Sequence, residues 1–130
     1  MAKIKNKTHL KNRIIQLLRK LTWSWQPIAD AENEAQVDAA LFECNICGKY
    51  VYKGKSKKNL KKLKEKYHDK VVEMGVLYKD HINPVIPVGK QTKDLTFDEI
   101  IGNMFCEKDN IQCLCKSCHD EKTAQEKAKR

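Results

Sequence analysis

Two Cys-x-x-Cys pairs, Cys44-Asn45-Ile46-Cys47 and Cys115-Lys116-Ser117-Cys118, constrain this chain more than any other feature. Each pair puts two sulfurs on one tight turn. Two such turns supply the four thiolates that Zn²⁺ prefers in a closed, structural site. The intervening span is far longer than a zinc-finger loop, so an ion held here clips two distant pieces of chain together. Loop-closure entropy grows only slowly with length and does not forbid this. A redox role needs one pair in a thioredoxin-like βαβ setting, which the sequence lacks. Cys106 and Cys113 fall outside the pattern and are expected to be core thiols.

A structural ion also answers a shortage. The 130 residues suit one compact domain, but hydrophobic residues make up 41% and charged residues 33%, a lean core for so charged a chain. Lys and Arg outnumber Asp and Glu by 26 to 17, giving a formal charge of +9 and pointing to a polyanionic partner, with nucleic acid the commonest. The cations are grouped. No acid precedes Asp30, whereas Lys3, Lys5, Lys7, Lys11, Arg13, Arg19 and Lys20 do. A second cluster runs through Lys57, Lys58, Lys61, Lys62 and their neighbours up to Lys70. No apolar run approaches the roughly 20 residues that span a bilayer, so no membrane partner is expected. The basic N-terminus lacks the apolar stretch of a secretory signal, and six cysteines then suggest a reducing, cytoplasmic setting.

The pattern reads as α+β. Leu10, Ile14, Leu17, Leu18 and Leu21 predict an amphipathic helix over 8–21 with Thr8 as its cap, and a second helix is expected from about Pro27 to Ala40. Together they form a helical N-terminal extension over 1–41, in which Trp23 and Trp25 are expected to pack rather than stack on bases. The segment 42–130 begins with a hairpin from Phe42 to Tyr52 that carries the first cysteine pair, with Gly48 easing the turn. A basic helix is expected from Lys57 to Met74, striped by Leu60, Leu63, Tyr67 and Val71 and closed by Gly75. Val76-Leu77-Tyr78 starts a strand leading into Asp80-His81, and Asn83-Pro84 turns it into a loop. Thr96 and Glu99 make a capping box for a helix through Phe105. A strand over Ile111–Leu114 and a final basic helix from about Cys115 complete the chain. His9 and His68 are expected at the surface.

Asp80-His81-Ile82, then Asn110-Ile111-Gln112, then Leu114-Cys115-Lys116-Ser117-Cys118-His119 followed by Lys122-Thr123, resembles the HNH endonucleases, in particular small, zinc-containing, phage-type members. The resemblance covers the chain from about Phe42 onward. It implies a ββα-metal core and a DNA endonuclease that hydrolyses phosphodiesters to 5′-phosphate and 3′-hydroxyl ends. It implies that His81 activates water, that Asp80 and His119 hold one divalent ion such as Mg²⁺ or Mn²⁺, and that Asn110 fixes the loop orienting His81. One departure stands out: where some members carry another histidine one turn after the metal-binding one, this chain has Lys122 and Thr123. The residue types suit the chemistry in their own right. An imidazole titrates near neutrality, and a carboxylate offers a hard oxygen to a divalent ion.

DNA is the expected partner, clamped through its phosphates by Lys57, Lys58, Lys61 and Lys62 and by the N-terminal lysines, on either side of the metal pocket. Phage packaging proteins or a second copy of the chain are further partners the resemblance allows, with the host cytoplasm as the location of a phage-encoded protein. The alternative is a non-catalytic zinc-ribbon module that binds DNA or protein.

Overall fold

The computed structural model describes residues 7–129, apart from the side chain of Thr8; the lysines at positions 3 and 5 lie outside the described residues, and Thr8, expected as a cap, lies inside the first helix, which already includes Lys7. The architecture is mixed α+β, with a four-stranded sheet, a separate two-stranded sheet and five helices among these residues.

Helix α1 (Lys7–Leu21) turns Ile15 and Leu18 inward onto Val85, Leu95, Ile100 and Met104. The expected stripe is therefore only partly the packing face: Leu10, Ile14, Leu17 and Leu21 stay exposed because α1 is covered from one side alone. A short 3₁₀ turn over Thr22–Ser24 breaks the helix and leads into α2 (Gln26–Ala35), with Pro27 in its first turn where the missing N–H costs nothing. Trp25 packs edge-on against Phe105 and donates its indole N–H to Cys106 O at 2.7 Å. Trp23, expected to pack, is 84% exposed.

Helix α2 stops at Ala35, five residues short of expectation, because Gln36–Asp38 forms β1 and pairs antiparallel with β2 (Leu41–Glu43). The reversal between them sets Ala40 at φ +55°. Strand β2 pairs antiparallel with β3 (Tyr50–Tyr52), so the expected hairpin forms around the first cysteine pair. Ser56 then caps α3 (Lys57–Lys66) through the Asn59 N–H. This helix also ends early. Val72–Met74 is strand β4, parallel to β3, where helix was expected. Tyr67 ends α3 by donating its hydroxyl to Asp38, and the β-branched Val71-Val72 pair favours the extended chain that follows. Leu60, Leu63 and Tyr67 do pack as a stripe, against Leu41, Tyr52 and Val72, while Val71 is exposed.

Strands β5 (Tyr78–His81) and β6 (Ile111–Leu114) make the second sheet, antiparallel, with Asp80 opposite Gln112 and His81 opposite Ile111. Between them lies α4 (Phe97–Met104), opened by the expected Thr96–Glu99 capping box. After β6 the chain enters α5 (Lys116–Lys129), which packs on both strands of this sheet. Helix α2 lies against β6 as well. No helix among the described residues is long and apolar enough to cross a membrane.

Candidate functional site

The first half of the site is the cysteine cage. Cys44 follows β2 directly, and the chain turns back through Asn45-Ile46-Cys47-Gly48, with Gly48 N–H donating to Cys44 O at 3.0 Å. The turn needs Gly48 at φ +77°, a region a side chain enters only with strain. Asn45 stitches this turn to β6 twice: its N–H donates to Cys113 O at 2.8 Å and its Oδ1 accepts from Cys113 N at 2.6 Å. That docking brings Cys115 and Cys118, at the start of α5, to the first pair. The sulfurs of Cys44, Cys47, Cys115 and Cys118 all lie within 4.8 Å of one another. Cys47 Sγ and Cys115 Sγ are 3.8 Å apart, far beyond a disulfide bond. The spacing matches the edge of about 3.8 Å that tetrahedral Zn–S bonds of about 2.3 Å require.

The donor chemistry fits the same ion. Burial pushes the Cys44 thiol up, but the backbone N–H groups of Cys47, Cys115 and Ile46 outweigh it and bring it down to about 6. Burial and the neighbouring sulfurs push Cys118 well above the ordinary thiol range, and burial also raises Cys47. Four sulfurs this close ionise together only when a cation shares their charge, so the cluster can hold a metal ion such as zinc. Cys113 is fully buried, as expected of a core thiol, and burial pushes it up to about 11. Cys106 is only half-buried.

The second half is a cavity of about 630 Å³ whose lining includes Asp80, His81, Arg19, Lys90, Lys122 and Glu126. Neighbours on a strand face opposite ways, and the end of β5 uses both faces. Asp80 meets α5, where its Oδ2 accepts from Lys122 Nζ at 2.8 Å. His81 meets α4, where its Nε2 lies 2.8 Å from Met104 O. A carbonyl can only accept, so Nε2 carries the proton and Nδ1 keeps the lone pair of the neutral ring. The loop after His81 is held by Asn110: its Oδ1 accepts from Asn83 N–H at 3.0 Å, and its backbone carbonyl accepts from Ile82 N–H at 2.8 Å.

His119 does not line this cavity. Its ring stacks on Tyr78, 4.2 Å between centroids at 13°. Tyr78 and Asp80 share one face of β5, about 7 Å apart along the strand, so His119 and Lys122, one turn apart on α5, approach the same strip of sheet. His119 Nδ1 is buried and makes no hydrogen bond; the nearest carboxylate oxygen, Asp120 Oδ1, is 3.5 Å away.

Lys122, read in the sequence only as a departure, is the most connected cation of the site. Its Nζ donates to Asp80 Oδ2 and to His81 O at 2.7 Å, and pairs with Glu126 Oε1 at 2.7 Å. Burial lowers the tendency of Lys122 to hold its proton, but the two carboxylates outweigh burial and raise it. The spacing of Lys122 to Glu126, four residues on a helix, was the available signal. Lys57, Lys58, Lys61 and Lys62 are exposed on α3, and none of them lines the cavity. Of the two basic clusters expected on either side of the pocket, the N-terminal one contributes Arg19 to the lining of this cavity. The chain matches no known protein family, no curated protein and no solved structure.

Proposed function

We propose that the protein is a metal-dependent DNA endonuclease of the HNH class, with β5, β6 and α5 as its ββα-metal core and a structural zinc in the cysteine cage. The observation that carries this reading is His81 on the wall of an open cavity, held by Met104 O so that Nδ1 is left as the basic nitrogen, beside a carboxylate. An imidazole in that state takes a proton from an attacking water. Asn110 keeps His81 in place by closing the loop behind it. Asp80 and His119 would hold the catalytic ion: Asp80 Oδ1 accepts no hydrogen bond among the described residues, and His119 Nδ1 is buried without a hydrogen bond, 3.5 Å from Asp120 Oδ1. Such an ion, Mg²⁺, Mn²⁺ or a similar hard cation, supplies Lewis-acid stabilisation of the phosphate and leaving oxygens. Lys122 steadies the Asp80 carboxylate and the His81 backbone at once.

One observation favours a second reading. Asp80 is already neutralised by Lys122, and a zinc module that only binds nucleic acid needs no further ion there. Nicking of supercoiled plasmid with Mn²⁺ separates the two. The endonuclease reading expects nicking by the wild type and its loss in His81→Ala at unchanged zinc content. Equal nicking by both proteins removes His81 as the base, and no nicking by either leaves the binding module.

A further inference from the structure

The 630 Å³ cavity has a wall that catalysis as proposed does not use. Ile15 of α1 is buried against Val85, which fixes the N-terminal helix to the loop that follows His81. Asn103 of α4 holds the same point from the other side, donating to Val85 O at 3.0 Å. Arg19 follows Ile15 by four residues, one helical turn on the same face, and so lies over that loop and lines the cavity. Across it the loop closes in a tight turn: Lys90 N–H donates to Pro87 O at 3.0 Å, and Gly89 at φ +89° takes the position that a type II turn reserves for glycine. The turn sets Lys90 on the cavity wall.

Both cations are exposed, and neither pairs with a carboxylate among the described residues. Lys122, in the same wall, is consumed by Asp80 and Glu126. The cavity therefore carries two uncommitted positive charges from two separate elements, beside the group read as the base. Its volume lies in the range of ligand pockets, roughly 300–1,000 Å³. A planar guanidinium and an ammonium facing one space suit a phosphodiester, which offers paired oxygens at low hydration cost to Arg.

We propose that Arg19 and Lys90 form a phosphate subsite that seats the backbone of the strand to be cut against His81, so that the N-terminal helix is a working part of the site. This rests on the endonuclease reading for the identity of the strand as DNA. The phosphate chemistry itself rests on the cavity alone.

The test uses zinc-loaded full chain and a fluorescein-labelled 20-base-pair duplex in Ca²⁺, which permits binding without cleavage, across a salt titration. Each phosphate contact contributes about 0.9 to the slope of log K against log salt, so Arg19→Ala/Lys90→Ala is expected to flatten the slope by about two and to weaken binding at least roughly tenfold near 100 mM salt. Arg19→Lys/Lys90→Arg, which keeps both charges, is expected to restore most of the affinity, and it also controls for folding. A wild-type protein that binds the duplex with a double-alanine variant matching it in affinity and slope overturns the subsite and leaves the endonuclease reading standing. A wild type that binds no duplex, yet shows Arg19 side-chain NMR shifts on titration with the dinucleotide TpT that the alanine variant lacks, keeps the subsite and sinks the DNA assignment. Absence of both responses overturns the two together.

Discussion

At the scale of single residues, Lys122 and Asp38 show how one charge can tie two elements. Lys122 is mostly buried between Asp80 and Glu126. Replacing it with methionine leaves two neighbouring carboxylates without their cation, and we expect a loss of about 1–2 kcal/mol at pH 7. The pairing raises Lys122 above its ordinary 10.5, so its contribution is fully present below that value and is lost as pH rises past it; a loss in urea melts equally large at strongly alkaline pH and at pH 7 would contradict the pairing. Asp38 is half-buried and shows itself through its titration. The Lys66 ammonium, the Ala39 N–H and the Tyr67 hydroxyl hold its carboxyl down from 3.8 to about 2. A depressed carboxylate contributes stability that is fully present above its ordinary value and is lost as pH falls through the folded one. Docking of α3 on β1 should therefore weaken between about pH 4 and pH 2, and Asp38→Asn should lack that step in a pH titration followed by Tyr67 fluorescence or NMR. Asp38 did not stand out in the sequence, and Lys122 did so only as a departure from the resemblance, with no sign of what it would pair with. A Lys or Asp on a basic, solvated face looks the same whether or not a partner from 28 residues or more away arrives beside it.

At the scale of elements, α4 fixes His81 although none of its residues belongs to the motifs that carry the resemblance. Its last residue, Met104, gives the carbonyl that fixes His81, and Ile100 and Met104 are fully buried against α1 and the loop. Thr96→Ala removes the capping hydrogen bond to Glu99 N–H and should cost about 1 kcal/mol of stability, read as a lower denaturant midpoint at unchanged slope. Met104→Ala should cost about 2–5 kcal/mol. Elements announced by local chemistry were legible: the capping box of α4, Pro27 at the start of α2, the β2–β3 hairpin with Gly48. Elements decided by pairing were not. Helical periodicity runs on past Lys66 and past Ala35, yet both helices stop, because Val72–Met74 finds an open edge at β3 and Gln36–Asp38 finds one at β2. A lone segment cannot signal a ladder whose other strand lies elsewhere. The face of α1 was hidden for a related reason: Ile15 is buried by Val85, 70 residues on.

At the scale of the whole molecule, the cysteine cage joins residues 44–47 to 115–118, so its ion bears on the fold itself. We expect one zinc per chain by elemental analysis. Structural zinc in small domains contributes roughly 10–16 kcal/mol of apparent binding energy, so chelation should abolish cooperative unfolding. Cys115→Ser should lose the metal, whereas Cys113→Ser should keep it, since the buried Cys113 thiol stays protonated up to about 11. Retention of stoichiometric zinc in Cys115→Ser would break the four-thiolate assignment. The sequence by itself determined the two cysteine pairs and the α+β character, because each rests on residue type and short spacing, which need no partner; that Asn110 meets the loop after His81 was an expectation of the resemblance alone. Only tertiary structure decided that Lys122 holds Asp80, that Arg19 lines the same cavity, and that the lysines of α3 do not. Those outcomes depend on which surfaces meet once the chain is closed, and meeting is a property of packing between distant segments that no local pattern encodes.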